Sequence, residues 1–345
     1  MIVSIAILGH NEAHDIANLI ADLATQDLLQ DDNLSLAFHV VANGCTDETV
    51  SVATSAFGAL PFLRSNVTVT IHDLPRPGKS GAWNEFVHRL ASQSTDFVFL
   101  LDADIRIPER TTLSRVLASL RASHTACVAV DESVKDLSLA PRKTLIERII
   151  LAASGTAYDT RTAIAGALYC ARFEVLKRIW MPVGLPGEDG FLRAMILTAN
   201  FSDDERLERL VFVEGARHIF ESERTIRGVF RHNVRLTIGT AINILLFHHL
   251  RACLKTDKDI GSYIRRRNES DPNWVNDLIR EEIRQGRYFL TNSNFIWKRW
   301  FRLRSFPISQ QIRKAPIFVL GFVFDVALLI YGNVLMRKGV GAGYW

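Results

Sequence analysis

One segment, residues 97–107, constrains the fold more than any other. It begins at Phe97 with the run FVFLL, which is apolar and uncharged. Such a run is typical of a strand buried on both faces of a parallel sheet. Asp102-Ala-Asp104 ends the run, and ligands of open α/β sheets gather just beyond the carboxyl ends of strands. The two acids therefore either hold a divalent cation against phosphate oxygens, or face solvent and begin the next helix.

The rest of the first half alternates between strands and helices. Short β-rich runs at residues 2–8, 36–42 and 67–71 are each followed by a helical pattern. This alternation predicts right-handed βαβ units, so we expect an α/β fold with a doubly wound, mostly parallel sheet flanked by helices. Further on, the patterns predict helices at 109–122 and 142–155 and strands at 126–130, 163–170 and 210–213. No linker interrupts this region, so residues 1–225 are expected to form one domain.

The C-terminal third has a different character. Residues 226–310 are expected to be a helical extension, and from Phe295 its sequence FIWKRWFRLR interleaves aromatic and basic residues as membrane-interface segments do. Residues 315–336 are apolar except for Asp325 and, as a helix, would be about 33 Å long. That length can cross a hydrocarbon core of about 30 Å. Residues 311–345 are therefore expected to be a transmembrane or re-entrant anchor, or alternatively a core or in-plane helix.

Charge and cysteine usage narrow the possible partners and compartment. The formal charge is +4 and its excess lies in the C-terminal third, which favours a membrane surface or a phosphorylated ligand over nucleic acid. The four cysteines are scattered and form no C-x-x-C pair. We therefore expect neither a disulfide framework nor a zinc site. The expected compartment is a reducing cytosol.

Polar clusters follow the first four predicted strands. Because successive strand ends share one edge of a doubly wound sheet, these clusters are expected to converge, although each alone also suits a turn, a helix start or a solvated surface. Gly78-Lys79-Ser80 ends like a phosphate-binding P-loop, but Asp73 stands where its first glycine should be, and no G-x-G-x-x-G follows a strand. A nucleoside triphosphatase and a dinucleotide dehydrogenase are thus disfavoured. The clusters are Asn11-Glu12, residues 43–47, residues 76–84, and Asp102 with Asp104.

Five stretches in this order resemble family 2 glycosyltransferases. They are SIAILGHNE at residues 4–12, VVANGCTDET at 40–49, Gly78-Lys79, the Asp-x-Asp motif at 102–104, and GED at 187–189. The resemblance covers roughly residues 1–240. It implies an A-type nucleotide-diphospho-sugar transferase fold and inverting transfer of one sugar from an activated donor.

The resemblance also implies roles for individual residues. Asn11, Glu12 and Asn43 would lie near the nucleoside, with Asn43 standing where the family usually has Asp. Asp47 would close the same turn, and Lys79 would approach the nucleotide. Asp104 would bind Mg²⁺ or Mn²⁺ on the diphosphate, together with Asp102, which would also contact the donor. Asp189, beside Glu188, would be the catalytic base.

The chemistry of direct displacement suits those roles. A base must take the proton of the attacking hydroxyl, and positive charge must stabilise the departing diphosphate. A base near Asp104 would have a raised pKa because like charges repel. The alternative for Glu188-Asp189 is a structural one, the start of the helix that runs through Phe191 and Leu192.

Three arginines, Arg227, Arg231 and Arg235, recur every four residues on one predicted helix face. Like charges at this spacing repel by about 0.2–0.5 kcal/mol per pair unless an anion compensates. A diphosphate, anionic lipid or nearby acids would each do so. Arg231 and Arg235 are the two candidate substrate contacts. The family often has Q-x-x-R-W here, and this chain keeps only its arginine, Arg235, as a contact to diphosphate or acceptor. That departure argues against a processive polysaccharide synthase.

These expectations combine into one predicted function and two alternatives. The predicted function is a non-processive inverting glycosyltransferase at the cytoplasmic face of the inner membrane. It would use a nucleoside-diphosphate sugar and a lipid-linked or surface-polysaccharide precursor as acceptor. The alternatives are a sugar-phosphate nucleotidyltransferase, which usually carries a glycine-rich loop after its first strand, and a non-catalytic, membrane-tethered nucleotide-sugar-binding subunit.

Overall fold

A computed structural model describes residues 1–60, 65–154, 160–287, 289–291 and 294–343 of the chain. Within these ranges the strands form one sheet in the order β3-β2-β1-β4-β7-β6-β8-β5. The strands are β1 (Ile2–Gly9), β2 (Ser35–Asn43), β3 (Val67–Leu74), β4 (Phe97–Asp102), β5 (Ile105–Arg106), β6 (Val128–Lys135), β7 (Leu168–Arg172) and β8 (Leu210–Phe220).

Helices flank this sheet and form the C-terminal part of the chain. Those before the last strand are α1 (Ile16–Ala24), α2 (Thr49–Gly58), α3 (Lys79–Glu85), α4 (Thr112–Ala122), α5 (Asp136–Leu139), α6 (Leu145–Ser154), α7 (Phe173–Leu176) and α8 (Glu188–Leu197). Those after it are α9 (Ile226–Cys253), α10 (Ile260–Ser270), α11 (Trp274–Arg284), α12 (Asn294–Arg304) and α13 (Ile308–Arg337).

The predicted α/β fold class is confirmed, and strands β3, β2, β1 and β4 are parallel. The other half of the sheet is mixed: β7 runs antiparallel to both β4 and β6, and β8 is parallel to β6. A buried apolar run does not reveal strand direction, because both of its faces are covered whichever way it points.

Two apolar layers sandwich the sheet, as the alternation of side chains along each strand requires. Ile5 and Ile7 of β1 pack with α1, α2 and α4, whereas Ala6 and Leu8 pack with α3, α8 and α9. Strand β4 contributes side chains to both layers and is almost fully buried. The strand predicted at the start of residues 97–107 is therefore present and buried on both faces.

Three strands after β4 differ from their predicted ranges, and β6 runs from Val128 to Lys135 rather than over residues 126–130. Strand β7 begins at Leu168, five residues later than expected, and β8 extends to Phe220 rather than stopping at residue 213. Gly215 has a φ of +75°, and the register between β6 and β8 shifts between Val130 and Glu132. Such an irregularity breaks the apolar alternation that would identify one long strand.

The C-terminal helices pack against the face of the sheet that carries α8. Helix α13 contacts α9, α11 and α12, and its Asp325 accepts a hydrogen bond of 2.5 Å from Arg299 of α12. Among the described residues, α13 is the helix long and apolar enough to cross a membrane, and 39% of its most apolar window is buried in the protein.

A buried histidine pair in the sheet predicts acid sensitivity. His39 of β2 stacks on His72 of β3, and burial together with this neighbour lowers the pKa of His39 to about 4. Unfolding therefore takes up a proton between about pH 6.5 and pH 4, so stability falls as the pH falls, by about 2 kcal/mol at pH 5. Urea titrations at pH 7 and pH 5 give the free energy of unfolding at each pH. Between these two pH values, the free energy of unfolding of His39→Gln should fall by about 2 kcal/mol less than that of wild type. Exposed His124→Gln should match wild type, and an equal loss in all three proteins would contradict the prediction.

Candidate active site

The carboxyl ends of three neighbouring parallel strands meet at one edge of the sheet. Gly9 of β1 lies opposite Ala42 of β2, and Leu8 lies opposite Asp102 of β4. The residues that follow these strands therefore lie side by side. The structure thus brings the predicted clusters at residues 11–12, 43–47 and 102–104 together at one edge.

Asn43 holds two loops together at this edge. Its side-chain amide donates to the Gly9 carbonyl oxygen at 2.7 Å, and its side-chain oxygen accepts from the Gly78 backbone N–H at 3.0 Å. The residue is 3% exposed. Next to it, Gly44 has a φ of +60°, and a Cβ there would lie 2.5 Å from the Pro77 nitrogen. Both polar ends of the Asn43 side chain thus position the turn, rather than pointing free into the site.

Asn11 and Asp47 join the turn after β1 to the turn after β2. Asn11 has a φ of 59°, and its side-chain oxygen accepts from the Thr46 N–H at 2.8 Å. Asp47 accepts from the Ala13 N–H at 3.1 Å and from the Thr49 hydroxyl at 2.5 Å. Desolvation opposes its charge, but these hydrogen bonds outweigh it and lower the pKa of Asp47. The structure therefore gives Asp47 a positioning task within the turn.

Glu12 lies between these turns and the Asp-x-Asp motif. Its burial, followed by repulsion from Asp104, Asp15 and Asp102, raises the pKa of Glu12 to about 7. The acids at this edge thus lie close enough to repel one another when ionised. A cation or a hydrogen-bond donor from a ligand would relieve that repulsion.

Lys79 is the positive partner of this group and does not extend into solvent. Its Nζ lies 2.7 Å from Asp102 Oδ2, 3.2 Å from the Gly166 carbonyl oxygen and 3.4 Å from Glu188 Oε1. Burial disfavours its charge, but Asp102 and Glu188 outweigh burial and raise the pKa of Lys79. Burial raises the pKa of Asp102 more than the positive charge of Lys79 lowers it, so that the pKa of Asp102 is about 6.

Glu188 and Asp189 form the first turn of α8, which places them beside Lys79. Both acids therefore begin the helix, as the structural alternative predicted, and lie where the helix dipole favours negative charge. Burial and the neighbouring Glu188 raise the pKa of Asp189, while Lys79 and Arg235 act against that shift. This perturbed carboxyl at the converging edge is the arrangement expected of a functional acid or base.

The two predicted arginine contacts differ in their surroundings. Arg235 of α9 is half-buried and close enough to Asp189 to affect its pKa. Arg231 lies one turn earlier and is exposed. No contact in the described part of the chain links Arg231 to the other site residues. The structure thus brings Arg235, and not Arg231, to the converging edge.

Three residues that the sequence patterns did not single out complete the site. A Cβ on Gly166 would lie 3.2 Å from Lys79 Nζ and 3.5 Å from the Asp189 Cβ, so this glycine adjoins both side chains. Buried Asn243 of α9 donates to the Gly187 carbonyl oxygen at 2.8 Å, and a Cβ on Gly239 would lie 3.2 Å from the Gly187 Cα. The sequence signal that could have identified one of them is Asn243 itself, an amide within the apolar run of residues 238–246.

The donor chemistry at this edge suits a hard divalent cation. Asp104 is exposed, whereas Asp102 is already bound to Lys79. Within the described ranges, no group of three or more His, Cys, Asp or Glu side chains could hold a metal alone. Mg²⁺ typically takes one or two protein carboxylates and completes its shell with water and substrate phosphates. The residues present therefore fit a metal that shares a diphosphate.

Comparisons with known proteins agree with this geometry. The sequence-family profile described as Glycosyl transferase family 2 matches residues 4–180, slightly more than half of the chain. No curated protein sequence matches the chain significantly.

The solved structures that resemble the fold include the following two. A mannosyltransferase from Pyrobaculum calidifontis, solved with GDP-Man and Mn²⁺, superposes with a TM-score of 0.54 at 17% identity over 97% of this chain and 86% of that one. The S. aureus TarS fragment 1–349, solved with UDP, gives a TM-score of 0.48 at 16% identity over 98% and 92%. At these identities the first of them supports the fold alone. The chain therefore belongs to glycosyl transferase family 2, and it is a glycosyltransferase with the A-type fold.

Proposed function

We propose that the protein is a non-processive inverting glycosyltransferase that moves one sugar from a nucleoside-diphosphate sugar to a hydroxyl acceptor. The observation that carries this proposal is the position of Asp189. The Asp189 Cβ adjoins Gly166, whose carbonyl oxygen binds Lys79, and Lys79 binds Asp102 at the end of β4. A candidate base and a cation that would stabilise a leaving diphosphate thus lie close together.

Asp189 would act as the general base. Direct displacement requires that the acceptor hydroxyl lose its proton as its oxygen attacks the anomeric carbon. A carboxylate with a raised pKa accepts that proton more readily than an ordinary aspartate. Glu188 would help to keep that pKa raised, because its charge disfavours ionised Asp189.

The donor diphosphate would lie over the ends of β1 and β4. Lys79 and Arg235 would supply positive charge near its oxygens, and Asp104 with Asp102 would hold Mg²⁺ or Mn²⁺. That metal would act as a Lewis acid on the diphosphate when bound. Asn11, Glu12, Asn43 and Asp47 would shape the nucleoside side of the pocket.

The acceptor would be a lipid-linked or surface-polysaccharide precursor at the cytoplasmic face of the inner membrane. Support comes from α12, whose sequence interleaves aromatic and basic residues, and from α13, which is long and apolar enough for a membrane. Non-processive transfer is supported by the retention of Arg235 alone from the Q-x-x-R-W motif. In this arrangement Arg231 would contact the acceptor or its lipid.

A panel of nucleoside-diphosphate sugars tests the proposed function. Purified protein is heated with each donor, with and without Mn²⁺, and the unfolding temperature is recorded. One donor should raise the unfolding temperature, and the shift should shrink when a chelator removes the metal, because the donor and the metal share the crowded acids. That donor should then be hydrolysed or transferred. Binding without turnover would favour the non-catalytic subunit, and pyrophosphate release from a nucleoside triphosphate and a sugar phosphate would favour a nucleotidyltransferase.

A further inference from the structure

Helix α13 presents a long apolar face to solvent. Every exposed residue between positions 315 and 336 is apolar or aromatic. We define the apolar stripe as Ile312, Val319, Leu320, Val323, Ile330 and Val334, which are 40–73% exposed. Their spacings, mostly three, four or seven positions, keep these residues along one side of the helix, over about 33 Å. A surface helix of a fully water-exposed protein would carry charges on this side.

We infer that α13 lies flat on a membrane as a docking surface for lipid, and that it does not cross the bilayer. The two arrangements make different demands on the rest of the helix. A crossing helix must be surrounded by hydrocarbon or by other membrane-embedded segments along its length. A flat helix needs one apolar side only, and its other side can pack on a water-soluble domain.

The other side of α13 is packed against the protein. Asp325 binds Arg299 of α12, and the Asn333 side chain accepts from the Leu290 N–H at 2.9 Å. Phe230 of α9 contacts the rings of Phe324 and Tyr331, with centroids 5.7 Å and 5.6 Å apart. Helix α9 itself carries the exposed cations Arg227 and Arg231, whose burial in hydrocarbon would be costly. Helix α13 therefore cannot enter the membrane core while it remains on α9.

The segment after α13 returns to the catalytic domain. The Ala342 N–H donates to the Asn276 side chain of α11 at 2.9 Å, and the Gly343 N–H donates to the Gly184 carbonyl oxygen at 2.6 Å. Gly184 lies in the loop that leads to Glu188 and Asp189. A crossing helix would place its two ends on opposite sides of the bilayer, so it would break these contacts. A flat helix keeps both ends beside the catalytic domain.

The chemistry around the apolar stripe fits a lipid surface. A cleft of about 200 Å³ between α12 and α13 is lined entirely by Trp297, Trp300, Leu303, Phe318, Val319 and Phe322, so it suits part of an acyl chain. Trp297 and Trp300 are almost half exposed, as aromatic residues at membrane interfaces are. The exposed cations Arg302, Arg304 and Arg313 are close in sequence to these residues and complement anionic headgroups.

Helix α6 adds to the same surface. It contacts both α9 and α13, and its Leu145, Ile146 and Ile149 are 46–74% exposed. Arg142 and Arg148 beside them are exposed cations. Helix α9 thus contacts the helices of the docking surface on one side. On another side, its Asn243 donates a hydrogen bond to Gly187, two residues before Asp189. If the proposed function holds, lipid docking would bring the acceptor side of the site close to a membrane-borne hydroxyl.

Vesicle flotation of the full chain tests the docking surface without using activity. Vesicles of equal parts phosphatidylcholine and phosphatidylglycerol should carry the protein to the top of a density gradient, and vesicles of phosphatidylcholine alone should carry less. Leu320→Asp should reduce vesicle binding by about tenfold or more, because it places a charge in the centre of the apolar stripe. Leu207→Asp, which replaces a similarly exposed leucine away from α13, should leave binding unchanged. Asp189→Asn should also float, so a failure of the proposed catalysis is distinguishable from a failure of docking.

Side-specific labelling tests the orientation of α13. Lys338→Cys follows the helix, and His124→Cys lies on the surface of the catalytic domain. In inverted inner-membrane vesicles, a membrane-impermeant maleimide should label both positions from the same side, as read by peptide mass. Labelling from opposite sides would overturn the flat arrangement. A dimer that Leu320→Asp dissociates, together with no flotation of wild type, would show that a second copy of the chain covers the apolar stripe.

Discussion

Replacing Asp189 with Asn is expected to lower the rate of sugar transfer by about 10²–10⁴-fold, which is the usual contribution of a general base. Donor binding should persist, because the amide keeps the shape of the side chain and leaves Lys79, Asp102 and Asp104 in place. The measurement is turnover at saturating donor, together with donor affinity from calorimetry. Exposed Asp204→Asn, in the loop after α8, is the matched control and should retain full activity.

The pH dependence sharpens this result. The proton acceptor must be ionised, so kcat/KM should rise with pH through the pKa of Asp189, which burial and Glu188 raise above its ordinary range. That acid limb should be absent from the residual activity of Asp189→Asn. Full activity of the variant would exclude Asp189 as the base, and loss of donor binding instead of turnover would assign it to the donor pocket.

Replacing Lys79 with Met is expected to weaken both the enzyme and its fold. Lys79 contacts both Asp102 and Glu188. Its removal leaves the negative charges of these largely buried carboxylates without the cation that offsets their repulsion. Because the two paired side chains are 23% and 25% exposed, the loss of stability should be about 1–3 kcal/mol, less than for a fully buried pair. Loss of its charge beside the diphosphate should lower kcat/KM by about 10²-fold.

A second lysine offers a matched comparison. Lys177 pairs with Glu174 at 2.6 Å on the surface, where that glutamate is 71% exposed. Lys177→Met should change stability by less than about 1 kcal/mol and leave activity unaltered. Lys79→Met combined with Asp102→Asn should regain part of the lost stability but not the activity. Equal effects of the two single lysine variants would show that Lys79 is an ordinary surface ion pair.

The main lines of the sheet and its polar edge could be predicted because their signals are local. An uncharged apolar run can be satisfied only in a buried strand or helix, and the alternation of short strands with helices required parallel neighbours whose ends meet. For the same reason the polar residues after β1, β2 and β4 had to lie together. The reverse direction of β7 and the length of β8 have no such local signal, because pairing across the sheet determines them.

The tasks of individual site residues could not be predicted in the same way. Asn43 and Asp47 matched the positions of donor contacts, yet their polar atoms bind the turns at Gly9, Gly78 and Ala13. Gly166 and Asn243 reach the site from distant parts of the chain. A hydrogen bond depends on where two segments meet, so residue type alone does not reveal whether a side chain holds a loop or faces a ligand.

The sequence by itself determined the strand at residues 97–101, the two acids that follow it and the apolar character of residues 315–336. It did so because burial and periodicity act over a few neighbouring residues. Only the tertiary structure decided that Lys79 binds Asp102, that Asp189 stands beside them and that one side of α13 packs on α9. Each depends on contacts between segments far apart in the chain, and an apolar helix that crosses a bilayer has the same composition as one that lies on it.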